Sequence, residues 1–421
     1  MTEEAGRAKP KSLWRHSDFL KLWSGETVSL LGDQFTGLAI PLAAVLILRA
    51  SPSQMGVLQA AGTLPFLLIG LVAGVWADRH RRRRLMILSD VARGVLLLSV
   101  PAAFLSHDLG IYLLYLVSFG TGMFTVVFDV TYQAYLPSLV EHEQLIDANG
   151  KLQASASAAS VVGPSLAGSL IQVVEAPFAI LVDSFSFFWS AFSLAWIRKK
   201  EATMSSGPQR PMAAQIREGL ALVLRDSRLR SIAACTATSN LFSSLVGAVL
   251  VLYAVDTLKM TPFLLGVMFA LGSIGSLLAA VTASRLSRLV GVGWLIIVSA
   301  AVFSGAWLLL IGAAPPYGAA VLIVAYFGVG FGAVVYNVNQ VSYRQALVPV
   351  PLQGRLNATM RFIVWGTLPI GSLAGGAIGQ SLGLHTAILV GAVGGAFSFL
   401  FVLFSPVRQV KTIPTQPEVG T

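Results

Sequence analysis

The sequence predicts an all-α integral membrane protein in which twelve transmembrane helices form two pseudo-symmetric six-helix bundles. Hydrophobic residues make up 55% of the 421 residues and charged residues only 11%, whereas soluble domains are about 25% charged. Twelve apolar runs have roughly the 20 residues that a helix needs to cross a bilayer. The basic residues are divided among the short gaps between these runs, so the net charge of +10 does not indicate nucleic-acid binding.

The longest gap between the runs separates them into two sets of six. This gap holds three consecutive basic residues that begin at Arg198, followed by a Ser-Ser-Gly-Pro segment. The sequence therefore predicts a cytoplasmic segment 1–18, a first bundle 19–197, a central loop 198–230, a second bundle 231–405 and a cytoplasmic tail 406–421. In order, the predicted spans are 19–48, 54–78, 85–105, 109–136, 146–174, 178–197, 231–256, 262–285, 292–313, 317–343, 355–382 and 386–405.

The central loop contains a short segment with helical periodicity. Ile216, Leu220 and Val223 fall on one helical face, while Arg217 and Glu218 face elsewhere. Two interpretations fit this pattern. The segment is either an amphipathic helix on the cytoplasmic membrane surface or an extension of the seventh span.

The distribution of basic residues predicts the orientation in the membrane. Of the 29 Lys and Arg residues, only Arg49 and Lys259 fall in gaps on the predicted outer side. Cytoplasmic loops carry the excess of Lys and Arg. We therefore expect a multi-pass protein of the inner (plasma) membrane with both termini in the cytoplasm. The first run is too long for a signal peptide, so we expect it to remain as a span.

The two predicted bundles share a short sequence repeat. Residues 165–171 read SLAGSLI and residues 372–378 read SLAGGAI, at corresponding positions of spans five and eleven. A repeat at equivalent positions of two six-span halves indicates a duplicated transporter architecture. The small residues also predict close helix packing.

The gap after the second span carries a distinctive motif, Gly74-Val-Trp-Ala-Asp78-Arg79-His-Arg-Arg82-Arg83-Arg84. It resembles the loop between the second and third spans of the major facilitator superfamily, Gly-x-Leu-Ala-Asp-Arg-x-Gly-Arg-Arg/Lys. Trp76 and Arg81 depart from that pattern. The resemblance implies an inner gate at this loop, and Asp78 is placed to hold one conformation by pairing with a helix end or an Arg. The matching residues are Gly74, Ala77, Asp78, Arg79, Arg82 and Arg83.

Three further segments resemble one branch of that superfamily, the macrolide and enterobactin exporters. The first is Ser29-Leu-Leu-Gly32-Asp33-Gln34 with Ala39-Ile-Pro41, and the second is Tyr135-Leu-Pro137-Ser-Leu-Val140 with Ala148-Asn149. The third, Gly163-Pro164-Ser-Leu-Ala-Gly168, resembles the Gly-Pro motif of the antiporters with one extra residue before the last Gly.

Ionisable residues inside the predicted spans are candidates for proton coupling or substrate binding, because an unpaired charge is costly in lipid. Asp33 lies near mid-membrane, and Glu26 shares its helical face about 10.5 Å closer to the cytoplasm. A purely structural role for Asp33 and a hydrated one for Glu26 stay open. The other candidates are Asp129 in span four, Asn337 and Gln340 in span ten, and Arg361 in span eleven, which either pairs across the cavity or reaches the inner surface.

Two other intramembrane sites have weaker predictions. Asp90 and Arg93 are one turn apart and are expected to form a local pair, and no role is assigned to Asp183. The lone Cys235 and five scattered histidines give no metal site, and no phosphate-binding loop for ATP is present.

These observations predict a monomeric transporter without cofactor or enzymatic activity, whose partners are the bilayer, protons and a small molecule. The favoured function is proton-coupled export of a hydrophobic or amphipathic compound by alternating access, such as a macrolide-like antibiotic or a siderophore. Uptake of a small solute by symport and translocation of lipid are the alternatives.

Overall fold

The computed structural model describes residues 13–141, 144–199 and 212–412, and all regular secondary structure in these ranges is helical. Eleven helices in this part of the chain are long and apolar enough to span a bilayer. A further helix, Pro52–Arg79, has 28 residues and is as long as these eleven. Each of the twelve predicted runs corresponds to one of these helices, so the predicted all-α membrane fold is confirmed.

The helices are numbered in chain order. Some spans consist of two consecutive helices, and the π-helical turns Ala43–Ile47 and Tyr253–Thr257 extend α1 and α8. The bounds are α1 Ser17–Leu42, α2 Pro52–Arg79, α3 Arg82–Leu105, α4 Ile111–Leu139, α5 Leu145–Val173, α6 Ala176–Ala195, α7 Met212–Arg225, α8 Ser227–Leu252, α9 Pro262–Val290, α10 Val292–Gly305, α11 Gly318–Leu347, α12 Val350–Trp365, α13 Thr367–Leu382, α14 Leu384–Ala396 and α15 Leu400–Leu403.

The helices pack as two groups. In the first, α1 packs on α5 and α6, α2 on α4, and α3 on α4 and α6. In the second, α11 packs on α9 and α10, and α8 packs on α13 and α14. The most extensive packing between the groups joins α5 to α9 and α2 to α13.

Glycines bring these two helix pairs into backbone contact. A Cβ on Gly168 of α5 would lie 2.4 Å from the Pro262 carbonyl oxygen of α9, and a Cβ on Gly56 of α2 would lie 2.6 Å from the Ser372 carbonyl oxygen of α13. Pro262 is the first residue of α9, and Gly56 lies in the first turns of α2. Both contacts therefore lie at the same end of the bundle, opposite to residues 13 and 412.

The two halves use equivalent elements for these contacts. α5 and α13 carry the repeated SLAG segments, and each packs on the helix that begins after the first loop of the opposite half. Both loops follow a π-helical turn and end in a hydroxyl N-cap, Ser51 for α2 and Thr261 for α9. The duplication predicted from the short repeat therefore extends to the loops and caps.

On the side of residues 13 and 412, hereafter the terminal side, a cavity separates the halves. Phe66 of α2 and Trp365 of α12 still touch near the middle, with ring centroids 5.1 Å apart. Beyond this contact, Asp129 and Gln133 of α4 and Arg361 of α12 have exposed side chains on the cavity wall. The structure is thus closed at one end and open toward the terminal side.

The amphipathic segment of the central loop forms a separate helix, α7. Asp226 ends it by capping α8, where its carboxylate accepts hydrogen bonds from the amides of Arg228 and Leu229. Val223 is fully buried, and Glu218 pairs with Arg355 of α12 at 2.7 Å. α7 is thus separate from the seventh span, and it packs on protein at Val223 and Glu218.

Candidate transport site

A central cavity of about 510 Å³ lies between the two halves. α1, α2 and α4 form one wall, and α8 with Phe269 of α9 and Tyr326 of α11 forms the other. Most of its lining is apolar, and the two carboxyl groups on its wall are those of Asp33 and Asp183. The cavity therefore combines an apolar surface, which suits an organic molecule, with two groups that can exchange protons.

Asp33 occupies the middle of the 31-residue span Ser17–Ile47, as its sequence position predicts. Asp183 of α6 packs against the same stretch of α1, since a Cβ added to Gly32 would lie 2.5 Å from its carboxylate oxygen. Asp183 is 1% exposed and accepts a hydrogen bond of 3.0 Å from Ser186. None of the ion pairs among the described residues involves Asp33 or Asp183.

Arg93 of α3 is a cation that acts electrostatically on both of these carboxyls, and the sequence prediction assigned it only to a local pair. It does pair with Asp90, and its guanidinium also lies 4.6 Å from the Phe128 ring centre and 4.0 Å from that of Phe187. Phe187 lines the central cavity. The electrostatic field of Arg93 reaches carboxyl groups on three helices, those of Glu26, Asp33, Asp129 and Asp183.

Loss of the Asp90–Arg93 ion pair is expected to lower the free energy of unfolding strongly. Both side chains are buried, so Arg93→Leu leaves the Asp90 carboxylate without its partner and should cost about 3–5 kcal/mol. Thermal unfolding of the purified protein measures this loss. Arg408→Leu, at an exposed arginine, is the control and should change little. Adding Asp90→Asn to Arg93→Leu should restore part of the loss, and no recovery would contradict this explanation.

The predicted residues Asp129 and Arg361 come from different halves and line one cavity of about 370 Å³ on the terminal side. Arg361 lies within electrostatic range of Asp129 and also packs over the ring of Trp365 at 5.5 Å. Glu26 interacts electrostatically with Asp129 and with Tyr132. Glu26 itself is not among the residues that line the central cavity or this one.

Asn337 and Gln340 lie on α11 and line a third cavity of about 590 Å³, which also contacts Arg361. The Gln340 amide donates a hydrogen bond of 2.9 Å to the Asn337 side chain. Gln340 is 3% exposed, and its amide oxygen is buried without a hydrogen-bond partner. The sequence marked these two amides as polar lining, but it gave no sign of the buried Arg344 in the same cavity.

The loop motif lies where α2 ends and α3 begins. Gly74, Asp78 and Arg79 belong to α2, and their side-chain surroundings lie outside the described residues. Arg82 donates a 2.7 Å hydrogen bond to the carbonyl of Ala134 in α4, and Arg83 donates one of the same length to Leu194 in α6. These bonds join α3 to α4 and α6 on the terminal side.

The Gly163-Pro164 segment packs α5 between α1 and α9. A Cβ on Gly163 would lie 2.4 Å from the Gln34 side chain, and one on Gly266 would lie 2.3 Å from the Pro164 carbonyl oxygen. The third member, Gly168, makes the α9 contact described above. The antiporter-like segment therefore packs closely on a helix of each half, α1 and α9.

A family model described as transmembrane secretion effector, within the major facilitator transporters, matches residues 9–419. The chain belongs to this family. The predicted resemblance to the major facilitator superfamily is thereby confirmed. The family and fold are those of transporters, so the chain is a multi-pass membrane transporter of small molecules.

Relatives with named functions support the exporter branch. Macrolide efflux protein A of Streptococcus pyogenes is 24% identical over 407 residues, covering 93% of this chain and 97% of the relative. The enterobactin exporter EntS of Salmonella paratyphi A is 24% identical over 376 residues, covering 87% and 85%. The crystal structure of a bacterial homologue of the iron transporter ferroportin, in an inward-facing state, shares the fold with a TM-score of 0.78 and 18% identity over 93% of this chain and 99% of that one.

Proposed function

We propose that this protein exports a hydrophobic or amphipathic small molecule in exchange for protons, working as a monomer by alternating access. Its similarity to a macrolide efflux protein and an enterobactin exporter supports export of an organic compound. The observation that carries the proton coupling is the central cavity, in which Asp33 and Asp183 stand on a largely apolar wall. A carboxyl group there can bind a proton from one side of the membrane and release it to the other.

The coupling follows from competition within the cavity. When the cavity is open to the cytoplasm, a substrate that donates hydrogen bonds to the carboxyls favours their ionised forms, so the proton leaves to the cytoplasm. When the cavity opens outward, departure of the substrate removes those donors, and a carboxyl on the apolar wall takes up a proton from the more acidic side.

Asp33 is our primary proton carrier because it lies at mid-membrane on the cavity wall and joins no ion pair among the described residues. Asp183 shares that wall, but it is 1% exposed and accepts a hydrogen bond from Ser186. Glu26 and Asp129 are candidates for the proton path toward the terminal side.

Alternating access requires two gates. At the closed end, we assign the gate to the glycine contacts of α5 with α9 and of α2 with α13. At the terminal side, we assign it to the loop motif with Gly74, Asp78, Arg79, Arg82 and Arg83. With the termini in the cytoplasm, the structure corresponds to the inward-facing state.

Transport in inverted membrane vesicles tests the function. Growth of cells with and without the protein on a panel of toxic compounds first identifies a substrate. Vesicles that are acidified inside should then accumulate that compound, and collapse of the pH gradient should release it. Accumulation only in right-side-out vesicles would support uptake instead, and movement of labelled phospholipid without any panel compound would support lipid translocation.

The orientation is tested by cysteine labelling. In a Cys235→Ser background, single cysteines at Arg15 and Arg408 should react with a membrane-impermeant maleimide only after the cells are opened. A cysteine at Arg49, in a loop at the closed end, is the control and should react in intact cells. Labelling of either terminal position from outside would contradict the predicted orientation.

A further inference from the structure

Among the described residues, the lining of the 590 Å³ cavity on the terminal side contains no carboxylate. It is formed by α8, α11 and α12, and its polar groups are two arginines and several uncharged side chains. The arginines are Arg344 and Arg361. The uncharged groups are Thr236, Asn240, Tyr336, Asn337, Gln340, Gln345 and Asn357.

Arg344 is a buried cation with no counter-ion among the residues that the structure describes. It is 7% exposed, and none of the ion pairs or hydrogen bonds among the described residues satisfies its guanidinium, whose Nε is fully buried. The three helices that form this cavity, α8, α11 and α12, contain no Asp or Glu that could pair with Arg344. A buried charge without a partner costs several kcal/mol. The cost is removed if a ligand supplies the negative charge.

The neighbouring amide oxygen and rings bear on the uncharged part of a ligand. Gln340 is nearly buried, and its amide oxygen has no hydrogen-bond partner, so it can accept a hydrogen bond from an O–H or N–H group of the ligand body. Phe303, Tyr336 and Trp365 add flat apolar surface next to the cations. Guanidinium groups bind carboxylate, sulfonate and phosphate oxygens in pairs, and aromatic rings hold an apolar body.

We propose that this cavity binds the oxyanion head of an amphipathic organic anion, with Arg344 and Arg361 holding the charge and the aromatic side chains holding the body. The inference rests on the proposed export function and narrows its substrate class. It also gives the two halves different tasks, because the carboxyls that face the central cavity belong to the first half and this carboxylate-free cation site belongs to the second. Binding at Arg361 competes with its interaction with Asp129 across the adjoining cavity.

Two xanthene dyes of similar shape and opposite charge test the proposal. Fluorescein carries a carboxylate, whereas rhodamine 123 carries a methyl ester and a positive charge. Fluorescence anisotropy measures their binding to the protein in nanodiscs of phosphatidylcholine. We expect fluorescein to bind, and Arg344→Gln and Arg361→Gln each to weaken it by about tenfold or more. Arg408→Gln, outside the cavity, is the control and should leave fluorescein binding unchanged.

A second measurement separates binding from folding. Burial of an unpaired cation destabilises the folded protein relative to the unfolded one. Arg344→Gln removes this cost, so it should keep or raise the melting temperature of the ligand-free protein. A large fall in that temperature would assign Arg344 a structural role and overturn the proposal. Fluorescein binding that persists in the Arg344→Gln/Arg361→Gln variant, or absence of fluorescein binding to the wild type, would also overturn it.

Two further comparisons distinguish a transported anion from a lipid headgroup, and failure of this inference from failure of the proposed export function. Phosphatidylglycerol in the nanodiscs should not displace fluorescein if the site takes a transported compound, and displacement would instead identify a lipid headgroup as the occupant. If rhodamine 123 is exported in vesicles while fluorescein does not bind, the export function stands and this inference fails. If fluorescein binds through the two arginines but no compound is exported, the site stands and the proposed function fails.

Discussion

Replacing Asp33 by Asn is expected to abolish substrate accumulation driven by a pH gradient, while substrate binding and downhill exchange persist. The amide keeps the shape of the side chain in the middle of α1 but cannot exchange a proton. If the cycle exports substrate in return for protons, the uphill step then has no energy source. The measurement is accumulation in reconstituted vesicles with an imposed pH gradient, compared with counterflow of labelled substrate without one.

Asp129→Asn is the matched control, because Asp129 lies on the terminal-side cavity rather than on the central one. Retained accumulation in Asp33→Asn together with its loss in Asp129→Asn would move the coupling to α4. Retention in both variants would exclude both carboxyls as the coupled site. The structure adds Asp183→Asn to this series, since Asp183 packs beside Asp33 and a shared proton would make the two variants similar.

Replacing Gly168 by Leu is expected to prevent closure of the gate away from the terminal side and to reduce transport by about tenfold or more. The Cβ of the new side chain would already lie 2.4 Å from the Pro262 carbonyl oxygen, so α5 and α9 would have to move apart. Overpacking of this kind costs about 1–3 kcal/mol, which shifts a two-state equilibrium by about 5- to 150-fold. Because the contact joins the two halves, that cost falls on the state with this gate closed.

Gly150→Leu provides a control in the same helix, since nothing lies within 4 Å of a Cβ at Gly150. A cysteine at Thr63 on the central cavity reports the conformation in a Cys235→Ser background. Gly168→Leu should increase its labelling from outside intact cells, and Gly150→Leu should leave it unchanged. Equal labelling and equal transport in both variants would show that the α5–α9 contact is not a gate.

The number, order and type of helices could be predicted from the sequence because each span buries its own backbone hydrogen bonds and needs only a local run of apolar residues. The same logic placed Asp33 at mid-membrane, because depth in a straight helix is a count of residues. Pairs one helical turn apart, such as Asp90 with Arg93, could also be predicted from their spacing. The short SLAG repeat indicated the duplication, although it did not indicate that both copies lie where the halves touch.

Contacts between different spans could not be predicted from the sequence. Asp183 gave no signal of its own, and its position beside Asp33 depends on how α6 packs on α1 through Gly32. Arg93 was predicted only as part of a local pair, yet its charge also acts on acids from three other helices. The central-loop segment showed an apolar face, and only the packing of Val223 and the Glu218–Arg355 pair revealed that protein covers part of it.

A two-halved helical transporter and the charges at membrane depth could be predicted without coordinates, because hydrophobic length and residue count act along a single chain segment. Helix packing established which of those charges meet. Helix rotation and neighbour choice depend on side-chain packing across segments far apart in sequence, and glycine contacts set both here. For this reason the Asp33 and Asp183 carboxyls, the facing Asp129 and Arg361, and the unpaired Arg344 become sites only in the folded bundle.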